Sequence, residues 1–281
     1  MEKIDRLGWA AGIAFVSYGL RIGIRASSPQ ILDRLQGLLP PNAKPTRGPR
    51  VECLYSLIVR GTKVGSNVRR FNILYGDAVP LARTKDTDRV LEALEMDLQL
   101  YVAERARRRV FVHAGVVGWR GRAIVIPGRT MSGKTTLVRA LVRAGATYYS
   151  DEYAVLDERG RVHPYPKPMS IRKNGGGRPM KIFPEAFGGT TGVRPLPVGL
   201  VVATSYREGA RWRPRRLSPG RAVMELLAHT VSARRDPERA FATLRSATGE
   251  ATVIKGARGE AEEIAEALLG RLTEQAGRVK Q

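Results

Sequence analysis

Residues 128–135 read Gly-Arg-Thr-Met-Ser-Gly-Lys-Thr and match the pattern G-x-x-x-x-G-K-[ST] without a gap. An apolar stretch at residues 123–127 precedes this run, and helical periodicity begins at about Lys134. A strand, a glycine-rich turn and a helix in this order form a phosphate-binding loop in many α/β proteins. The run therefore predicts an α/β fold with a phosphate site between a strand and a helix.

The residue types of this loop suit an anion. Gly128 and Gly133 permit backbone angles and close approaches that a side chain would block. The loop amides and the helix N-terminus then face the phosphates, while Lys134 adds a mobile charge and the Thr135 hydroxyl can bind Mg²⁺. The alternative is a glycine-rich turn that happens to hold a lysine. We predict that ATP is bound, with Mg²⁺, by Gly128, Arg129, Thr130, Met131, Ser132, Gly133, Lys134, Thr135 and Thr136.

The first acidic residues after the loop are Asp151 and Glu152, within a strand predicted at residues 147–156. One helix and one turn should bring this strand back towards the loop, so Asp151 can hold magnesium or accept a proton from an attacking hydroxyl. The alternative is a solvated acid pair at a strand edge. The later apolar run at residues 199–205 contains no acid, which counts against a motor-type or GTPase-type NTPase.

His113 lies on a strand predicted at residues 110–117, just before a short turn at residues 118–121. A turn this short makes the two flanking strands antiparallel, and the hairpin can return His113 to the phosphate side of the sheet. There it can touch a phosphate or orient a base. A histidine that simply packs in a strand is the alternative.

Composition limits the class of protein. The chain has 281 residues, of which 43% are hydrophobic and 26% charged, and this mixture excludes a disordered chain, a collagen and a disulfide scaffold. Cys53 is the single cysteine, which fits a cytoplasmic protein. The apolar stretch at residues 7–20 is short and interrupted, so we expect no membrane insertion.

Two regions are predicted along the chain. Residues 1–105 read as an N-terminal α+β region, with strands and a long helix after Asp86 that Thr87 or Asp88 can cap. This region is a candidate for substrate binding or oligomerisation. Residues 106–281 hold the loop and form a kinase-like domain with a mixed β-sheet. A further helix should begin at Ser218, because serine followed by proline is typical of a helix start.

The stretch from His113 through Asp151 resembles bacterial HPr kinase/phosphorylase and the shorter HPr-kinase-like serine kinases. The histidine strand, the phosphate loop and the acid pair match that family in order and nearly in spacing, and Pro219-Gly220-Arg221 resembles its Pro-Gly-Arg helix start. The resemblance implies a core of the HPr-kinase/PEP-carboxykinase-like type. It also implies that Asp151 is the catalytic acid/base, Glu152 a magnesium partner and Arg221 a phosphate contact.

The function expected from both arguments is ATP- and Mg²⁺-dependent phosphoryl transfer to a serine hydroxyl of a protein or peptide. The family's Glu-Ile-Arg-Gly signature corresponds to residues 170–173, where Ser170 replaces the carboxylate. The family often forms rings, so a homo-oligomer is possible.

Two other functions are a nucleic-acid-linked P-loop ATPase or polynucleotide kinase, and a nucleotide-binding regulator without catalysis.

The net charge of +22 indicates anionic partners but does not choose among them. The densest basic stretches are residues 105–109 and 207–216, and in the second Trp212 stands among arginines. This interleaving can hold single-stranded nucleic acid, although a solvated basic loop is the favoured interpretation. A third use is to steer an acidic peptide or the nucleotide towards the site.

Overall fold

The structure, a computed structural model, describes residues 3–48, 50–61, 63–64, 67–68, 70–129, 132–171 and 180–278. It separates into two compact units, Met1–Arg107 and Arg108–Gln281. Among the described helices, none is long and apolar enough to cross a membrane.

The first unit combines one long helix with a six-stranded sheet of order β3-β1-β2-β4-β7-β8, in which β2 and β4 are parallel. Its elements are β1 (Ala11–Ser17), β2 (Leu20–Ala26), α1 (Leu32–Leu35), β3 (Lys44–Pro45), β4 (Cys53–Ile58), β5 (Lys63–Val64), β6 (Asn67–Val68), β7 (Asn72–Gly76), β8 (Val79–Thr84) and α2 (Thr87–Arg105).

The long helix α2 is capped one residue earlier than the sequence predicts. The side chain of Asp86 accepts hydrogen bonds from the backbone N–H groups of Asp88 and Arg89. Asp86 has the extended backbone of an N-cap residue, whereas Thr87 and Asp88 already lie inside the helix, so the prediction that one of them caps it was wrong.

The second unit contains the predicted loop between a strand and a helix. Its elements are β9 (Val110–Trp119), β10 (Arg122–Pro127), α3 (Lys134–Arg143), β11 (Thr147–Ser150), β12 (Tyr153–Leu156), β13 (Arg161–His163), β14 (Met169–Ile171), β15 (Met180–Ile182), β16 (Leu196–Tyr206), β17 (Arg215–Arg216), α4 (Pro219–Leu227), α5 (Pro237–Thr248), β18 (Thr252–Arg258) and α6 (Ala261–Arg278).

The main sheet of this unit has eight described strands and is mixed, as predicted. One path through it runs β11-β9-β10-β16-β18-β17, and β12 and β13 form a second connection from β9 to β16. β9 and β10 form the predicted antiparallel hairpin, and its turn is Arg120-Gly121, where both residues have positive φ. β10, β16 and β18 are parallel to one another, so their carboxyl ends lie at the same edge. In sheets of this kind, ligands bind in the crevice at that edge.

Helices cover both faces of the sheet. Alternate residues of β10 point in opposite directions: Ile124 packs with α3 and α6, and Val125 packs with α4 and α5. This alternation explains why the strand before the loop reads as a continuous apolar run. The packed layers hold the end of β10, and therefore the start of the loop, in a fixed position.

The strand predicted at residues 147–156 is divided into β11 and β12 by a bend at Asp151 and Glu152. The hydroxyl of Ser150 accepts hydrogen bonds from the backbone N–H groups of Glu152 and Tyr153, at 3.1 and 3.0 Å. A serine side chain that takes over these donors replaces ladder bonds and turns the chain. At this bend Asp151 is buried and Glu152 is exposed.

Candidate active site

The described part of the loop joins β10 to the N-terminus of α3. Gly133 is the N-cap residue of α3 and has a φ of 84°, a conformation that glycine adopts without strain. Gly128 leaves little room for a side chain, because a Cβ atom there would lie 2.5 Å from Oγ of Ser132. Thr130 and Met131 lie outside the described residues, and Thr136 is exposed on the first turn of α3.

The ammonium group of Lys134 folds over the loop. Its Nζ donates to the carbonyl oxygens of Gly128 and Arg129, at 2.9 and 2.8 Å. Burial lowers the pKa of Lys134, and the nearby charges of Glu152 and Asp151 act in the opposite direction. The Lys134 ammonium is therefore a cation beside the loop. Its two hydrogen-bond acceptors are neutral carbonyl groups, which phosphate oxygens can replace.

Substitution of Gly133 by alanine should destabilise the protein. The left-handed backbone costs about 1–2 kcal/mol with a side chain, and the new Cβ would lie 2.6 Å from Nη2 of Arg258. The matched control is Gly270→Ala in α6, where a Cβ meets no atom within 4 Å. There the free energy of unfolding should rise, by up to about 1 kcal/mol. Denaturant unfolding of both variants tests these opposite signs.

Asp151 is in direct contact with the first turn of α3. Oγ1 of Thr135 donates to Oδ2 of Asp151 at 2.9 Å, and the Tyr148 hydroxyl donates to Oδ1 at 2.8 Å. Only 3% of Asp151 is exposed. Burial raises the pKa of this carboxyl, while the hydrogen bonds from Tyr148 and Thr135 and the charge of Lys134 partly oppose that rise. The site thus holds a carboxylate of raised basicity beside the loop.

Glu152 differs from its neighbour in being exposed. Within the described ranges, no group of three or more His, Cys, Asp or Glu side chains is arranged to hold a metal ion by itself. Magnesium commonly takes only one or two carboxylates and completes its shell with water and phosphate oxygens. The Thr135 hydroxyl beside the Asp151 carboxylate, with Glu152 next in the chain, supplies oxygen donors of the type magnesium prefers.

His113 supports the loop through its backbone. Its carbonyl oxygen accepts from the Gly128 N–H at 3.1 Å, and its own N–H donates to the carbonyl of His229 at 2.8 Å. The half-buried ring packs on Tyr153 with 4.8 Å between ring centroids. Burial, followed by the charges of Lys134 and His229, lowers the pKa of His113, which favours the neutral imidazole near pH 7.

A cavity of about 620 Å³ opens beside the loop at the carboxyl ends of β10, β16 and β18. Its lining includes Gly128, Arg129 and Ser132 from the loop, Glu225 from α4, and His229, which is the second residue after that helix. Arg221, the phosphate contact implied by the family resemblance, is exposed and is not among the described residues that line this cavity. α4 starts as predicted but presents Glu225 to the cavity, where that carboxylate pairs with Lys255 at 2.7 Å.

Arg258 is a site residue that sequence reasoning missed. It ends β18, is 2% exposed, and donates from Nη2 to the carbonyl of Gly133 at 3.0 Å and from Nη1 to that of Gly259 at 2.9 Å. A guanidinium stays charged in proteins, so Arg258 places a permanent positive charge behind the loop. It stands 125 residues after Gly133, and no local motif marks it.

No protein-family model matches the chain, and no curated protein matches it by sequence. Among solved structures, the chain is similar to the HPr(Ser) kinase/phosphatase from Coxiella burnetii, with 15% sequence identity and a TM-score of 0.35. The similarity covers 61% of this chain and 99% of the other.

Proposed function

We propose that the protein is an ATP- and Mg²⁺-dependent kinase that transfers the terminal phosphoryl group to a serine hydroxyl of a protein or peptide. The observation that carries this proposal is the 2.9 Å hydrogen bond between Thr135, directly after the loop lysine, and the buried carboxylate of Asp151. Phosphoryl transfer needs a held phosphate chain and an acceptor for the hydroxyl proton in one place. The motif order shared with HPr-kinase-like serine kinases supports serine as the acceptor.

In the proposed reaction, the loop amides bind the phosphates, and Lys134 exchanges its two carbonyl partners for phosphate oxygens. The serine oxygen forms a bond to the terminal phosphorus while the bond from that phosphorus to the bridging oxygen breaks, which releases ADP. The Lys134 ammonium and the N-terminus of α3 offset the negative charge that is redistributed in the transition state.

Asp151 is the group proposed to take the serine proton. A proton acceptor works best when its pKa lies closer to the working pH than that of an ordinary carboxylate, and burial raises the pKa of Asp151. The oxygen donors that would hold magnesium are the Thr135 hydroxyl and the Glu152 carboxylate, which leaves the Asp151 carboxylate to take the proton. When bound, the metal would neutralise phosphate charge.

The nucleic-acid alternative has little support in the described geometry. Trp212, the aromatic residue within the basic stretch, is half-buried and packs against the cluster formed by α3 and α6. A single-stranded nucleic-acid platform requires an aromatic face that bases can stack on. We therefore retain the kinase proposal as the function that the site supports best.

Mass spectrometry of a cell lysate incubated with the purified protein and γ-labelled ATP tests the proposal. We expect label on serine of one or a few proteins or peptides, and no such label with the Lys134→Ala variant. Tight ATP binding without transfer to any molecule would instead favour a regulator. RNA- or DNA-stimulated ATP turnover that falls steeply with salt would favour the nucleic-acid-linked ATPase.

A further inference from the structure

We propose that the cavity beside the loop binds acidic side chains of the acceptor peptide, and so selects serines that have aspartate or glutamate several residues away. This inference deepens the proposed function, on which it rests for the identity of the acceptor as a peptide. It is carried by four cations outside the loop that line the same cavity: Arg207, Arg213, Arg215 and Lys255.

Among the described residues, a carboxylate of the protein neutralises only one of these cations, Lys255. Glu225 pairs with Lys255 at 2.7 Å, and it is the only acidic side chain among the described residues that line the cavity. None of the described ion pairs involves Arg207, Arg213 or Arg215, and all three residues are exposed. The cavity therefore presents an excess of positive charge to solvent, which is suited to an anionic ligand.

The sheet register holds two of these cations against each other. Arg215 of β17 and Lys255 of β18 are direct partners across an antiparallel pair, and both line the cavity. Like charges directly opposite in a sheet are destabilising. Glu225 already offsets the charge of Lys255, so an anion bound at this place would mainly compensate Arg215, which has no described ion pair.

Arg215 lies too far from the loop to serve mainly the phosphates of ATP. β18 and β16 separate β17 from β10 in the sheet. Three strand spacings amount to roughly 14 Å. The loop has its own amides and Lys134 for the phosphates, so Arg213 and Arg215 are available to another group.

A short extended peptide is long enough to reach from the loop to β17. An extended chain rises about 3.4 Å per residue, so roughly four residues separate a serine near the loop from an acidic side chain near β17. The lining of the cavity includes no described Phe, Tyr or Trp, and so offers no surface on which a base would stack. Charge recognition by arginine suits carboxylates, which its planar fork binds through two hydrogen bonds.

Fluorescence anisotropy with labelled peptides tests this inference without relying on catalysis. The probe is an eleven-residue peptide with a central serine, two glutamates that begin four residues away on each side, and uncharged residues elsewhere. The matched probe has glutamines in place of the glutamates. We expect the full-length protein to bind the glutamate peptide at least about tenfold more tightly, with an affinity that falls as salt is added.

The deciding variant is Arg213→Ala/Arg215→Ala, and its matched control is Arg211→Ala/Arg216→Ala. Both remove two exposed arginines from the same segment, but only the first pair lines the cavity. The first variant should bind the glutamate peptide about tenfold more weakly, and the control should bind it within about twofold of wild type.

The inference would be overturned by equal binding of the two peptides or by no binding of either. Equal losses of affinity in the two double variants would overturn it as well. So would a single-stranded oligonucleotide of the same length that binds more tightly than the glutamate peptide and loses its affinity in the Arg213→Ala/Arg215→Ala variant. If the kinase proposal fails and this inference holds, the result is different: the protein binds the glutamate peptide selectively but transfers no phosphate.

Discussion

Replacement of Lys134 by alanine is expected to abolish phosphoryl transfer and to weaken ATP binding by at least about tenfold. The ammonium group lies on the carbonyl oxygens of Gly128 and Arg129, where a phosphate chain on the loop amides would meet it. Loss of a positioned charge that acts on the transition state costs on the order of 10²–10³ in rate. Isothermal titration with ATP and a labelled-phosphate transfer assay measure the two effects.

The loss should not come from unfolding. Burial lowers the pKa of Lys134, which means that the folded state disfavours its charged form. The alanine variant should therefore unfold at the same temperature as wild type or above it. Arg271→Ala, which removes a positive charge from the exposed face of α6, is the control and should leave ATP binding and transfer unchanged. Normal transfer by the Lys134→Ala variant would remove the loop from the mechanism.

Local sequence signals predicted the part of the site that local structure builds. The loop follows directly from the spacing of Gly128, Gly133 and Lys134, because the backbone of a tight anion-binding turn requires these residue types. The hairpin of β9 and β10 follows from its short turn. Asp151 was predicted to lie near the loop because one helix and one turn return the chain to that neighbourhood, and its carboxylate does contact Thr135, although β9 lies between β10 and β11.

Contacts between distant segments could not be predicted. Arg258 reaches Gly133 because β18 lies two strands from β10 in the sheet, and that order is set by packing rather than by a motif. Arg221 shows the converse problem. Its Pro-Gly-Arg sequence marks the start of a helix correctly, but the docking of α4 decides which face meets the cavity, and Glu225 lines it instead.

Replacement of Asp151 by asparagine is expected to lower the rate of transfer by about 10²–10⁴-fold, the range attributed to a general base. ATP binding should change by no more than about threefold, because the amide oxygen can still accept a hydrogen bond from Thr135 or Tyr148. Single-turnover transfer and ATP titration on the same preparation separate the two quantities. A variant that transfers phosphate at the wild-type rate would exclude Asp151 as the proton acceptor.

Because burial raises the pKa of Asp151, the wild-type rate should fall as pH decreases through a value above the ordinary 3.8. The protonated carboxyl can no longer take the serine proton. The exposed Glu158 provides the control, since Glu158→Gln removes a carboxylate on the turn after β12 and should preserve both the rate and its pH profile.

The same pKa shift predicts the opposite effect of Asp151→Asn on stability. A carboxyl whose pKa is raised by folding is protonated in both states below the unfolded value of 3.8; as the pH rises through the folded value, the folded protein loses stability relative to that limit, and this loss is the cost of the buried charge. The neutral asparagine escapes this cost, so the variant should unfold at a higher temperature than wild type at pH 8. The difference should shrink as the pH falls towards 3.8. A lower unfolding temperature at pH 8 would show that the hydrogen bonds from Thr135 and Tyr148 outweigh desolvation, and that Asp151 is held for structure rather than poised for proton transfer.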